Sequence, residues 1–232
     1  MRVLAIDTAT SSAGAAVANE MGIIASFGLN LGKTHSQRFL PLLESLLNAA
    51  ETPLQGMSAL AVTVGPGSFT GLRIGLATAK AWGQALKLPL VPITTLEAIA
   101  RANLTCGLVC PVFNARKNEV YCSLFRGSEQ LWPNLALSPP QLAGALADYS
   151  EPIIFAGDAA GLYRDLFREV LGTRFVLAPE ERRLFLAPAA AILGRERYLA
   201  GNITFAKEIK PLYLRQSEAE VKLSQKEINY DK

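Results

Sequence analysis

Residues 62–80 read "VTVGPGSFTGLRIGLATAK". An apolar run ends in closely spaced glycines, a proline and hydroxyl side chains, and the pattern then turns helical. Gly65, Gly67 and Gly71 do not form the GxGxxG dinucleotide fingerprint, because three residues separate the last two glycines and no suitably placed acid follows. A helix N-terminus flanked by glycines is nevertheless an anion site by default. Ser68 could add a hydroxyl there, whereas Thr70, as an N-cap, competes for the same backbone donors. The loop alone leaves phosphate cradling and tight turning equally open.

The helix behind the loop carries more information. At about 100° per residue, Leu72, Ile74, Leu76, Ala77, Ala79, Ala81, Trp82, Ala85, Leu86 and Leu88 spread over roughly 260° of its surface. Arg73, Lys80, Gln84 and Lys87 share the remainder. A helix lying on one sheet needs an apolar stripe of only about 100°. The excess is expected to face another lobe or another protein. Small residues at 75, 77, 79 and 81 permit close approach, so an interaction surface is the preferred reading.

Working outward, strands are expected at 2–7, 14–19 and 23–30 and a helix at about 36–50, where Phe39, Leu43, Leu46, Leu47 and Ala50 make one stripe. "THSQ" (34–37) can be a capping box. Pro41 complicates the helix, which either begins later, near Arg38, or kinks. A strand (58–64), the helix 70–87, a strand (90–93) and a helix (95–103) follow. The second half runs in the same order: strands at 107–114, 119–126 and 130–137, a helix at 139–149, a strand at 152–157, a helix at 160–171, a strand at 174–177 and a helix at 187–200. Two β-β-β-α-β-α series predict a duplicated α/β fold, with lobes at 1–105 and 106–215. Residues 216–232 are polar and unpatterned and are expected to be a loose tail.

Bulk properties narrow the function. Of 232 residues, 50% are apolar and 19% charged, with a net charge of +3. That suffices for one large core or two small ones. No stretch interleaves Lys/Arg with aromatics, so a stand-alone nucleic-acid site is not expected. The N-terminal apolar run is too short for a signal peptide and no window suits a membrane span, which points to a soluble cytoplasmic chain. Cys106, Cys110 and Cys122 lack a CxxC spacing and read as small buried hydrophobes. His35 is the only histidine. It rules out a cage of several histidines, and any Ser-His-Asp triad would have to run through it.

Three other stretches bear on chemistry. "LGKTH" (31–35) resembles the end of a Walker A loop, but position 27, where the first glycine belongs, is Phe. "IDTATSSAGAAV" (6–17) places Asp7 at a strand end before a hydroxyl-rich hairpin, which can hold phosphate oxygens with the carboxylate set for a metal-bound water. A plain polar turn accounts for it as well. "TTLEAIARA" (94–102) has Thr94 three residues before Glu97, a capping box that gives Glu97 a structural role.

With "LAIDTAT", "THSQRFLPLLESLL", "VGPGSFTGLRIGLATAK", "TTLEAIA" and "KPLYLR" in this order, the chain resembles the TsaB (YeaZ) family from residue 2 to about residue 215. The resemblance implies an actin/Hsp70/sugar-kinase-like (ASKHA) fold and a non-catalytic partner in tRNA threonylcarbamoyladenosine synthesis. It implies a homodimer when alone, a competing heterodimer with the catalytic paralogue TsaD, and the ATPase TsaE as a further partner. tRNA would be met through the complex rather than directly. The chain itself would require no cofactor or metal, with ATP or ADP allowed at the partner interface. TsaD carries H-x-E-x-H where this chain has Thr95, Glu97 and Ile99, so a metal pair of imidazoles is missing. The family's "DARRGEVY"-like aspartate is Asn114 here.

Phe39, Leu43, Leu46, Arg73, Leu76, Ala77, Lys80 and Ala81 are therefore expected at the TsaD interface. Asp7, Gly65, Gly67, Ser68 and Gly71 are the candidates near an anion or nucleotide, and no catalytic residue is assigned. The rival reading is an ASKHA-fold phosphotransferase using Asp7 and the 65–71 loop. On this reading Leu76→Glu should abolish association without unfolding the chain, which gel filtration and circular dichroism would check.

Overall fold

The computed structural model describes residues 1–30, 35–179 and 185–215. The LGKT stretch, the Thr34–Gln37 cap, the His35 side chain and the 216–232 segment lie outside the described residues.

Strands β1 (Val3–Asp7), β2 (Ala13–Asn19) and β3 (Gly22–Leu29) run antiparallel. They are followed by α1 (His35–Ala49), β4 (Ala59–Gly65), α2 (Phe69–Leu86), β5 (Leu90–Thr94) and α3 (Thr95–Ala102). The sheet order is β3-β2-β1-β4-β5, with β4 parallel to β1 and β5 parallel to β4. The second half supplies β6 (Leu108–Arg116), β7 (Glu119–Cys122), β8 (Phe125–Arg126), β9 (Glu129–Gln130), β10 (Leu135–Leu137), α4 (Pro139–Leu146), β11 (Ile153–Ala156), α5 (Asp158–Leu162), α6 (Arg164–Leu171), β12 (Phe175–Leu177) and α7 (Ala187–Leu199). Its main sheet runs β10-β7-β6-β11-β12, which repeats the first order strand for strand. The duplication expected from the sequence is present. The strand read at 119–126 is divided between β7 and β8, because at Ser123 the side-chain hydroxyl donates to the Trp132 carbonyl and the ladder breaks.

Period-two alternation sorts each strand between two cores. On β1, Leu4 and Ile6 join Phe39, Leu43, Leu46 and Leu76 under α1 and α2. Val3 and Ala5 point the other way, toward Ala187, Ala190 and Ala191 of α7. Beside Val3, Val91 and Ile93, that second face is rich in alanine (Ala5, Ala16, Ala18, Ala59, Ala61), which lets α7 lie close to the sheet. A Cβ on Gly194 would come 2.4 Å from the Ala61 Cβ and 3.3 Å from Val3 Cγ1. The same core takes in Leu96 and Ile99 of α3 and Phe113 and Ala156 of the second sheet. Helices α3 and α7 thus form a middle layer shared by the lobes. The outer face of the second sheet has its own core, centred on Phe155, Phe167 and Leu142.

Four expectations need correction. The lobe boundary is not 1–105 against 106–215, since α7 and the chain after it return to the first sheet. Thr204 bridges Leu90, the Leu212 N–H donates to the Val64 carbonyl at 2.7 Å, and Ile209 is buried in the first lobe's core. Helix α1 begins at His35 rather than near Arg38 and runs on through Pro41, which lies on its exposed side. Ser68, not Thr70, caps α2, its hydroxyl accepting from the Gly71 N–H at 3.2 Å. Cys106 is exposed, because it precedes β6 rather than lying in it. Cys110 and Cys122 are buried as expected, and burial pushes the Cys122 thiol up to about 12.

The close seating of α7 has a measurable consequence. Gly194→Ala should destabilise the protein by about 1–3 kcal/mol, the usual cost of overpacking. Gly144, on the exposed side of α4 with nothing within 4 Å of its would-be Cβ, should gain about 0.5–1 kcal/mol as alanine. Urea midpoints of the two variants should move in opposite directions.

Candidate functional site

Strands β1 and β4 are parallel neighbours, and the turn after β1 meets the loop after β4. At the end of β1, Asp7 is 1% exposed. Its Oδ1 accepts from the Thr63 hydroxyl at 2.8 Å and from the Ala9 N–H at 3.1 Å. Burial pushes its carboxyl up to about 6, and these two donors offset only part of that penalty. Asp7 is anchored to its own turn and to β4.

The glycines of the loop are occupied by the protein's own backbone. The Ser68 N–H donates to the Ala9 carbonyl at 2.8 Å, and the Thr8 hydroxyl donates to the Gly71 carbonyl at 2.7 Å. A Cβ at Gly67 would lie 2.3 Å from the Ala9 oxygen, one at Gly71 2.0 Å from the Thr8 oxygen, and one at Gly75 2.4 Å from Thr8 Oγ1. Gly65 has φ of 118° and its Cβ would meet the Leu212 oxygen at 2.5 Å. The 65–71 stretch is therefore a seat for residues 8–9 and 212. Its glycines answer to close packing, and they set the angle at which α2 leaves the sheet.

The expected docking residues fall into two groups. Phe39, Leu43, Leu46 and Leu76 are 0–4% exposed and belong to the core under α1 and α2, so they are not available to a partner. The stripe on α1 is used up on β2 and β3, and Leu76 points at β4 with Leu72 and Ala79. Arg73, Ala77 and Ala81 are exposed and Lys80 is partly so, with Gln84 and Ala85 beside them. The wide apolar arc of α2 thus resolves into a buried side, half-buried flanks at Ile74, Trp82 and Leu86, and an outer ridge of methyl groups at 77, 81 and 85. Such a ridge allows a second helix to approach to an interaxial distance near the lower limit, about 8 Å.

Glu97 has the structural role expected of it, and a partner that the sequence did not reveal. The Thr94 hydroxyl accepts from the Glu97 N–H at 3.2 Å, and Glu97 Oε1 accepts from the Thr94 N–H at 3.0 Å. Arg197, a hundred residues away, holds both carboxylate oxygens at 2.7 and 2.8 Å and donates to the Pro92 carbonyl at 2.6 Å. Thr95 and Ile99 are fully buried. Among the described residues no three His, Cys, Asp or Glu side chains gather as a metal-ligand set, and no helix is long and apolar enough to cross a membrane. The Asn114 N–H donates to Asp158 at 2.8 Å, and its side-chain oxygen accepts from the Arg116 N–H at 2.8 Å. Burial raises the Asp158 carboxyl above its ordinary value. A neutral amide at 114 therefore keeps a second carboxylate away from this partly desolvated one.

The "KPLYLR" segment, informative in the sequence only as a resemblance, proves to be a strap. Leu212 is bonded to β4, Tyr213 stacks on Phe69 at the start of α2, and Arg215 pairs with Glu119 of β7 at 2.6 Å. It connects the root of α2 to the second lobe.

The family model described as "TsaD: tRNA N6-adenosine threonylcarbamoyltransferase" matches residues 29–223. The chain is 33% identical over 227 residues to the tRNA threonylcarbamoyladenosine biosynthesis protein TsaB of Bacillus subtilis, covering 96% of this chain and 97% of that one. The solved structure of YeaZ from Pseudomonas aeruginosa is 26% identical and superposes with a TM-score of 0.79 over 92% of this chain and 99% of its own. A ROK hexokinase from Thermus thermophilus, 12% identical, superposes with a TM-score of 0.52 over 84% of this chain and 99% of its own. That last likeness concerns the fold alone, which is the expected ASKHA fold.

Asp7 makes stability depend on pH. Its folded pKa lies above the ordinary 3.8, so the folded state binds the extra proton, and stability falls as pH rises from about 4 to about 6. A shift of about two units corresponds to roughly 3 kcal/mol. Asp7→Asn keeps an acceptor for Thr63 and Ala9 but carries no charge. Urea unfolding should find it close to the parent near pH 4 and more stable by up to that amount above pH 7.

Proposed function

Because the chain belongs to the TsaB family, we propose that it is a non-catalytic subunit of tRNA threonylcarbamoyladenosine biosynthesis, acting with a TsaD-type transferase and the TsaE ATPase. The observation that carries this reading is the exposed ridge of Ala77, Ala81 and Ala85 on α2, flanked by Arg73 and Lys80. An 18-residue helix is about 27 Å long. A matching helix laid along it, together with the outer side of α1, can contribute much of the roughly 800 Å² per partner that a stable complex buries. In this reading the ridge packs against the corresponding helices of the transferase and holds that subunit in its active conformation. The transferase then moves threonylcarbamoyl to the adenosine beside the anticodon in tRNAs reading codons that begin with A. The same ridge would serve a homodimer when the partner is absent, with ATP or ADP bound only at the junction, and the complex would work in the cytoplasm.

The rival phosphotransferase has less support. Backbone atoms of residues 8 and 9 fill the space beside Gly67 and Gly71, and Asp7 is bonded within its own turn. The glycines that a phosphate would need are committed to packing.

Leu76→Glu does not probe the ridge. Leu76 is 4% exposed, and a buried unpaired carboxylate would unfold the chain. Ala81→Glu should leave the circular dichroism and melting curve unchanged while loosening association with TsaD at least tenfold, read by gel filtration with light scattering. The isolated chain should transfer no threonylcarbamoyl. An intact complex in Ala81→Glu, or transfer without TsaD, would overturn the proposal.

A further inference from the structure

Residues remote in sequence meet on one exposed edge beside the start of α2. Tyr213, 38% exposed, stacks on Phe69 with ring centroids 4.8 Å apart. The Arg73 guanidinium lies over the Phe69 ring, 3.9 Å from its centroid. Two residues on, Arg215 reaches the carbonyls of Ala115 and Arg116 and neutralises Glu119. It thereby brings the tip of the β6–β7 hairpin to the end of the strap. At that tip Arg116, Lys117 and Asn118 are exposed, and all three have left-handed backbone, with φ of 63°, 50° and 58°. A left-handed residue with a side chain costs roughly 1–2 kcal/mol, and tight hairpins ordinarily put Asn and Gly at such positions. Here two long cations stand where the backbone would favour glycine. Among the described residues no carboxylate pairs with Arg73, Arg116, Lys117 or the exposed Lys210 of the strap.

We propose that this edge binds a single-stranded loop of RNA, with a base stacked on Tyr213 and phosphates held by Arg73, Arg116 and Lys117. A stacked aromatic pair backed by a guanidinium and flanked by unpaired cations is the chemistry that holds splayed bases and their backbone. An acidic protein would use the cations but has no need of the rings. The choice of RNA rests on the tRNA-modification reading, whereas the site itself takes Phe69 and Arg73 from the root of α2 and its other members from the strap and hairpin, apart from the 77–85 ridge. Direct contact with RNA also departs from the expectation that tRNA is met only through the partner. The sequence hid this because residues 69, 73, 116, 117 and 213 form no basic-aromatic run.

The test is fluorescence anisotropy of the full-length chain with a labelled RNA hairpin carrying a single-stranded loop, across a salt series. Tyr213→Ala should weaken binding roughly tenfold or more, and Tyr213→Trp should restore it. Lys117→Gly should weaken binding several-fold and lower the slope of log affinity against log salt by about 0.7. The same variant should raise the melting temperature, because glycine accepts the left-handed conformation without strain. Weaker binding in a more stable protein cannot come from misfolding. Failure of the parent to bind the RNA, or parent-like binding by Tyr213→Ala and Lys117→Gly, would overturn the proposal. Loss of TsaD association in these variants with RNA binding unmoved would overturn it too, and would make the edge a protein contact. Ala81→Glu separates the two readings: it should lose TsaD and keep RNA, so either result can fail without the other.

Discussion

The carbonyl oxygens of Thr8 and Ala9 stand closer to the entry of α2 than any side chain on that helix would allow. This contact fixes where α2 leaves the sheet, and which side of the helix faces outward depends on that placement. Three glycines, at 67, 71 and 75, lie against a two-residue turn, and two hydrogen bonds clamp the turn to the loop. With the helix root held in this way, Leu72, Leu76 and Ala79 fall onto β4 and the methyl ridge at 77, 81 and 85 falls outward. Phe69 is set at the helix start, where the returning strap can stack Tyr213 on it. A loop that looks made for an anion thus serves as a hinge point for a surface.

The same economy of atoms governs the middle of the molecule. Alanines on both sides of the contact between α7 and the first sheet remove the bulk that would hold them apart, and Gly194 marks the nearest approach. Glu97 then ties α3 to α7 through Arg197, a bidentate pair of the geometrically strong kind. Two lobes of identical strand order are therefore joined by a shared helical layer. The Glu97 carboxylate is held by a guanidinium.

Much of this was legible in the sequence wherever a period was long and unbroken. The succession of strands and helices along the chain, the duplication and the helix expected at 70–87 follow from alternation and from three-to-four spacing, and the capping box at Thr94 follows from two residues three apart. What could not be read is which side of an amphipathic helix meets its own sheet. Phe39, Leu43, Leu46 and Leu76 looked available for docking because a stripe has the same spacing whether an internal or an external neighbour covers it. The wide arc on α2 divides in the same hidden way: Leu72, Leu76 and Ala79 are buried, Ile74, Trp82 and Leu86 are half-buried, and the fully exposed apolar positions are alanines. Pairings across long separations were equally invisible: Thr63 on Asp7, Arg197 on Glu97 and Tyr213 on Phe69 carry no local signal. The lobe boundary was misplaced for the same reason, since α7 has no period that names its partner.

That return of the chain bears on how the protein is made. The alanine-rich face of the first sheet is only partly covered, by α3, until α7 has been synthesised, and the Val64 carbonyl waits for Leu212 to complete the root of α2. The usual order in which an N-terminal lobe matures on the ribosome before the next begins is closed to this architecture. A nascent chain stopped at residue 180 would present a finished second sheet beside a half-covered first one. Helix α2 therefore gains its final position only after residues 187–212 have emerged, and a product truncated before them leaves its root unfinished.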